Sequence, residues 1–365
     1  MDENNTNNGS LIAVSSRLLY EGMEVLDDIY NYDATHLLIR RGTKLSDDSI
    51  GKIKNLNSGK DTIYVTSGTQ RTLLEKSQHT QHPSRTEMEQ ITGYAAAKDK
   101  TVELLDGIAN NKVLQQEGLR SVSAELSNRL EVTSPSTILS LINALAPVDE
   151  YLQRHCINVS LLNGLIGRWL GLPAGDVDTL VLIGLLHDCG KALVPPQVLN
   201  APRMLTGVEF EVIKMHAVYS YDLLGEFPEH VRRAARCHHE KVSGAGYPDR
   251  LQYKDLSIEA RITAVSDIYD AVVSQRAYKK PRSPFSTMAM LAELRDTDLD
   301  AEIVNTFNKY MPQELIEKSV MMSDGSIGII REFDSDDIEY PIIEVNGTTI
   351  KSGKNLYCTS MYTEE

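Results

Sequence analysis

The feature that most constrains this chain is the stretch Leu185-Leu186-His187-Asp188-Cys189-Gly190-Lys191. It closes the apolar run Thr179 to Leu186, so an imidazole and a carboxylate stand where the pattern demands burial. Burying such a pair is costly without compensation, and a metal ion supplies it well. With 9 His in 365 residues the dipeptide alone carries little weight. Its neighbours along the chain give it meaning.

Between positions 155 and 267 five histidines, His155, His187, His216, His238 and His239, and two acids, Asp188 and Asp267, stand at helix ends or on buried faces. The helix expected over Val148 to Leu170 carries His155, Val159, Leu162, Ile166 and Leu170 on one face, which sets His155 on the buried stripe. Thr206-Gly207-Val208-Glu209 has capping-box spacing and opens the helix that bears His216. Another helix opens at Pro228 and reaches His238-His239-Glu240. Adjacent residues of a regular helix point roughly 100° apart, so both imidazoles can meet one ion only if the helix ends there. Ser243-Gly244-Ala245-Gly246-Tyr247-Pro248 supplies that ending. In the helix over Ser257 to Gln275, Asp267 lies on a face of small residues, Ala260, Ala264, Ala271 and Ser274, that lets a neighbour approach closely. These observations point to a metal site of nitrogen and oxygen donors, which suits Fe or Mn and leaves Zn, Ni and Mg open.

The rest of the chain frames this region. Residues 1–9 read as a disordered tail, and 10–67 as a small α+β accessory or input domain. Its strands are expected near 23–30, 36–40 and 61–65, and a helix near 46–55. Residues 68–147 read as a helical linker able to dimerise, with helices over 86–110 and 112–130 and a cap at Ser134-Pro135. Residues 148–318 hold the histidine-rich helical domain, closing with helices from Ser283-Pro284 and over 300–310. Residues 319–365 form a β segment with strands near 325–331, 340–345 and 356–361. The fold class is mainly α.

A net charge of -14 argues against nucleic acid or an anionic membrane as partner, though not against a small anion held by local cations. The four cysteines show no paired spacing. An amino terminus without a secretory signal adds the expectation of a cytoplasmic protein.

Residues from about Asp149 to Leu315 resemble the HD-GYP family of cyclic di-GMP phosphodiesterases, a branch of the all-helical HD phosphohydrolases. The resemblance rests on Asp149-Glu150-Tyr151 before His155, on Leu185 to Lys191, on the Thr206 to His216 helix, on His238-His239-Glu240 followed by Gly244 to Pro248, and on Ala264 to Asp270 with Ser274-Gln275-Arg276. It implies that His155, His187, Asp188 and Asp267 hold one divalent ion, and Asp188, His216, His238 and His239 a second. Relatives with a third ion carry Glu where this chain has Tyr151, so two are implied. It further implies hydrolysis of cyclic di-GMP to pGpG and on to GMP. Asp188 would bridge ions about 3.5 to 4 Å apart that lower the pKa of a bridging water. Lys191 would neutralise a phosphate oxygen, Arg276 and Lys279 would hold phosphates or guanine edges, and Tyr247 would contact the ligand. Signalling proteins are implied as further partners.

Two departures from the family pattern, Ser243 for Asp and Ala277 for Pro, bear on the loop and not on the implied ligands. They keep two alternatives in view: a hydrolase of another cyclic dinucleotide such as cyclic GMP-AMP, and a weakly active cyclic-dinucleotide receptor or interaction module.

Overall fold

The computed structural model describes residues 94–111, 116–143, 151–201, 203–274, 282–334 and 337–362, with short stretches at 11–15, 24–25, 29–30, 37–46, 48–50, 53 and 62–66. The chain divides into two compact units, Met1–His82 with Ser323–Gly325, and Pro83–Met322 with Ser326–Glu365.

In the first unit β1 (Leu11–Ser15), β2 (Glu24–Val25) and β5 (Thr62–Thr66) form an antiparallel sheet in the order β1-β5-β2. The strands β3 (Ile29–Tyr30) and β4 (Leu37–Ile39) pair with each other. The sequence pattern anticipates β4 and β5 within a residue or so and does not single out β1. Of the helix expected over 46–55, residues 48–50 and 53 are helical, and the others lie outside the described residues.

The second unit is a helical core with a β sheet. Its helices are α1 (Tyr94–Asn111), α2 (Gln116–Val132), α3 (Pro135–Asn143), α4 (Tyr151–Trp169), α5 (Ala174–Leu186), the single turn α6 (Pro196–Leu199), α7 (Gly207–Leu223), α8 (Glu229–Cys237), α9 (Ile258–Val273), α10 (Pro284–Leu294) and α11 (Ala301–Leu315). The first three, read from sequence as a linker, bury Tyr94, Leu126 and Leu139 in the same apolar core as α4, α5 and α9. Propensity and spacing mark a helix, but only the tertiary partner of its apolar face says which domain it joins.

Helices α4 and α5 form the most extensive helix pair. Gly184 allows it, because a Cβ there would stand 2.5 Å from Cα of Ser160 on α4. Ser160 Oγ then donates to the Val181 carbonyl at 2.6 Å, and Asn163 to that of Leu180 at 3.1 Å. The pair is thus close enough for hydrogen bonds between the helices, which fixes His155 and His187 relative to each other.

The sheet runs β10 (Cys358–Met361), β6 (Ser319–Met322), β7 (Ile327–Asp334), β8 (Asp337–Val345), β9 (Thr348–Lys351), antiparallel throughout. It has two more strands than the pattern predicts, β6 and β9, each four residues long. Asn346 and Gly347 both adopt positive φ, 50° and 77°, as a two-residue hairpin turn between β8 and β9 requires. Among the described residues no helix is long and apolar enough to cross a membrane.

A methyl group at Gly184 has nowhere to go. Gly184→Ala should lower stability by about 1 to 3 kcal/mol. Gly175→Ala, in open space on an exposed turn of the same helix, should raise it by about 0.5 kcal/mol. Chemical denaturation of both variants checks the pair of signs.

Candidate active site

The site is built at helix ends. Helix α5 stops at Leu186, His187 still has helical dihedrals, and Asp188 turns to φ −102°, ψ 6° and opens a 3-10 turn over Cys189–Leu193. This break aims two consecutive side chains, which a continuing helix would send apart, into one site. Ser220 of α7 secures it, accepting from Gly190 N at 2.9 Å and donating to the His187 carbonyl at 2.8 Å. Helix α8 likewise stops at Cys237, and the rings of His238 and His239 lie 4.0 Å apart between centroids. The close helix end required by adjacent imidazoles is therefore present.

Asp188 is the centre. Its Oδ2 lies 3.4 Å from His155 Nε2 and 3.3 Å from His187 Nε2. Its Oδ1 lies 3.2 Å from His216 Nε2 and 3.8 Å from His238 Nε2. Asp267, from the small-residue face of α9, joins both sides: Oδ1 is 3.0 Å from His155 Nε2, and Oδ2 is 3.5 Å from His239 Nδ1. All seven sequence-predicted ligand positions thus converge. They fall into two groups, His155, His187 and Asp267 on one side, and Asp188, His216, His238 and His239 on the other.

The donor chemistry fits a cation. The Nδ1 atoms of His187, His216 and His238 lie 2.6 to 2.7 Å from the carbonyls of Gly184, Ile213 and Ala235, which can only accept. Each Nδ1 therefore carries the proton, and in the neutral ring Nε2 presents a lone pair. Burial lowers the pKa of His216 to about 4 and pushes His238 down as well, so these two rings are neutral at physiological pH. Their lone pairs face Asp188 Oδ1, a buried oxygen that no hydrogen bond satisfies among the described residues. Lone pairs meeting around a buried carboxylate oxygen call for a positive ion among them, and this donor set can hold a divalent metal.

The other side is charged differently. Burial opposes protonation of His155, but the hydrogen bonds it donates to Asp188, Asp267 and Asp270 outweigh it and raise its pKa to about 10. Burial raises and the neighbouring cations lower the pKa values of Asp188 and Asp267, with a net depression well below the usual carboxylate range. Lys191 contacts Asp188 Oδ2 directly and keeps part of its side chain exposed.

Some participants escaped the sequence reading. Asp270 Oδ2 lies 2.7 Å from His155 Nδ1, Asn158 donates to Asp270 Oδ1 at 2.6 Å, and Tyr94 of α1 donates to Asn158 Oδ1 at 2.7 Å. Asp270 follows Asp267 by one helical turn, a signal that could have been used. Tyr94 carries no such mark, since only the packing of α1 brings it there.

A cleft of about 640 Å³ opens at His238 and His239, lined by Lys214, Tyr247 and Phe210 among others. Tyr247 leans over His239, ring centroids 4.8 Å apart. Its loop is held by the buried carboxylate of Glu240, which accepts from Asp249 N at 2.6 Å and Leu251 N at 3.1 Å, while Ser243 uses its backbone N–H, 3.2 Å from the Thr297 carbonyl. The serine side chain at the departure position carries none of that anchoring. Arg276, Ala277 and Lys279 lie outside the described residues.

The profile of the HD domain family matches residues 98–303, more than half of the chain. The chain belongs to the HD domain family. Within it the chain falls in the HD-GYP branch, whose relatives include cyclic di-GMP phosphodiesterases. A cyclic di-GMP phosphodiesterase of Pseudomonas aeruginosa is 30% identical over 258 residues, 68% of this chain and 62% of the relative. The 3'3'-cGAMP-specific phosphodiesterase 2 of Vibrio cholerae is 32% identical over 168 residues, 45% of this chain and 32% of the relative. The chain thus spans less than two thirds of either relative's length. A solved structure of an HDG"Y"P protein from Bdellovibrio bacteriovorus superposes on 83% of this chain and 100% of its own with a TM-score of 0.52 at 16% identity, which supports the HD fold.

Two outcomes follow from the charge on His155. In metal-free protein its ion pairs stabilise the fold fully below the ordinary imidazole value of 6.5, and this contribution is lost as pH rises through about 10. A metal must displace the His155 proton, so between those limits apparent affinity should rise about tenfold per pH unit, with one proton released, as calorimetry in buffers of different ionisation heat would show. Asp270→Ala should weaken metal binding by roughly 10- to 100-fold, measured by competition with a chelator.

Proposed function

We propose that this HD domain hydrolyses a phosphodiester bond of a cyclic dinucleotide, with cyclic di-GMP as substrate, opening it to pGpG and continuing to GMP. The observation that carries the reading is Asp188, a buried carboxylate with each oxygen turned to a different group of imidazoles at a substrate-sized cleft.

In this reading His155, His187, Asp188 and Asp267 hold one divalent ion, and Asp188, His216, His238 and His239 the other. Nitrogen and oxygen donors without sulfur suit Fe or Mn. Such ions supply Lewis acidity toward the phosphate and activation of water. The chain's own residues do the rest. Asp188 and Asp267 offset the positive charge of the centre, and the carbonyls behind His187, His216 and His238 hold each ring in its liganding tautomer. Lys191 is the catalytic cation: its ammonium already lies against Asp188, where it can transfer to a phosphate oxygen as charge builds in the transition state. Tyr247 borders the same cleft and contacts the ligand. Arg276 and Lys279 are assigned to phosphates and guanine edges, by residue chemistry and the family pattern.

The Vibrio relative favours a second reading, in which cyclic GMP-AMP is the substrate. A chromatographic assay with both cyclic dinucleotides on protein purified anaerobically separates the two. Asp188→Ala should abolish turnover and strip the metal, whereas Lys191→Ala should keep its metal and lose roughly 100-fold in rate. Full turnover in Asp188→Ala, or three ions per chain by elemental analysis, would sink the two-metal assignment.

A further inference from the structure

The wall of the cleft beyond the imidazoles carries side chains that the metal centre does not use. Phe210 and Met215 of α7 line it and are 47% and 40% exposed, large apolar groups left open in a charged setting. Tyr247 connects this wall to the centre, its ring 4.8 Å from that of His239 and 6.5 Å from that of Phe210, nearly perpendicular to the latter at 77°.

Lys214 sits with both rings. Its Nζ lies 5.1 Å from the Phe210 centroid and 5.6 Å from that of Tyr247, within reach of cation–π attraction to each. Its carboxylate partner is Glu211 at 2.6 Å, but the Glu211 side chain is 69% exposed. Solvent screens such a pair, so an anion entering the cleft competes with it readily. Lys241, another cation on the wall, is engaged by Asp298 at 2.6 Å.

A cyclic dinucleotide brings two phosphates and two purines. Only one phosphodiester stands at the reaction centre at a time, so the second phosphate and a base must be placed elsewhere in the same cleft. An ammonium held beside exposed aromatic rings meets both needs, with charge for the phosphate and a π-face for the base.

We propose that Lys214 and Phe210, adjoining Tyr247, form a substrate-selecting subsite in which the ammonium takes the phosphate that is not being cleaved and the phenyl ring stacks on a purine. The subsite rests on the cyclic-dinucleotide reading above and extends it to residues that the metal centre does not require. It selects for substrates that carry a second phosphate and a base.

The test uses the full chain loaded with Mn and two substrates, cyclic di-GMP and bis(4-nitrophenyl) phosphate, a diester with one phosphate and no base. In Lys214→Met and in Phe210→Ala the ratio of kcat/KM for cyclic di-GMP to that for the small diester should fall about tenfold, chiefly through KM. Lys214→Arg should recover most of the ratio, and elemental analysis should find the metal content of each variant unchanged. An unmoved ratio, equal losses on both substrates, or loss of metal in Lys214→Met would overturn the subsite. If the parent protein cleaves neither substrate, the phosphodiesterase reading fails and the subsite with it. If the parent cleaves both and the variants keep the ratio, only the subsite fails.

Discussion

The second unit is arranged around a carboxylate that water cannot reach. Asp188 is 1% exposed, with one oxygen facing His155 and His187 and the other facing His216 and His238. A charge in that position is tolerable only when its surroundings are prearranged, since an unpaired buried carboxylate costs several kcal/mol. Two helices, α4 and α7, and two helix ends, those of α5 and α8, are therefore committed to holding nitrogen atoms around it. Removing any one of them leaves the others with unsatisfied lone pairs.

Close packing gives this arrangement its precision. Gly184 brings α4 and α5 near enough for Ser160 to reach a carbonyl of α5. At Gly190 a side chain would collide with the backbone of α7 at His216 and Ser220, so the 3-10 turn after Asp188 can lie against the helix that supplies the third imidazole. Hydrogen bonds complete the work. Carbonyls three residues upstream orient His187, His216 and His238, while His155 is oriented by Asp270 and through it by Asn158 and Tyr94. The first helix of the unit thus has a part in the site, which ties metal binding to the folding of a segment far upstream in sequence.

The cleft shows a division of labour. Its inner end is imidazole, where His238 and His239 of the metal group meet it, and its wall is aromatic with a lysine among the rings. Glu240 links the two, because it follows the paired histidines directly and its carboxylate fastens the loop that carries Tyr247. A shift of this loop would move the Tyr247 ring against the His239 ring beneath it.

Much of this was open to a reader of the sequence. The glycines and prolines after His187 and His239 announce that the helices end, and that is what consecutive ligands need. The alanines flanking Asp267 announce a close helix contact. These signals are local, encoded in dihedral preference and side-chain size over a few residues, and so survive without knowledge of the fold. Asn158, Tyr94 and Lys214 were not legible in the same way, because their roles are distances. Tyr94 meets Asn158 across 64 residues of chain, and Lys214 acquires significance from two rings, one of them on a distant loop. The sequence by itself determined which residues could bind a metal and where the backbone must break to present them. Tertiary structure alone decided how they divide between the two oxygens of Asp188, since hydrogen bonds and coordination depend on separations of a few ångströms that only packing sets.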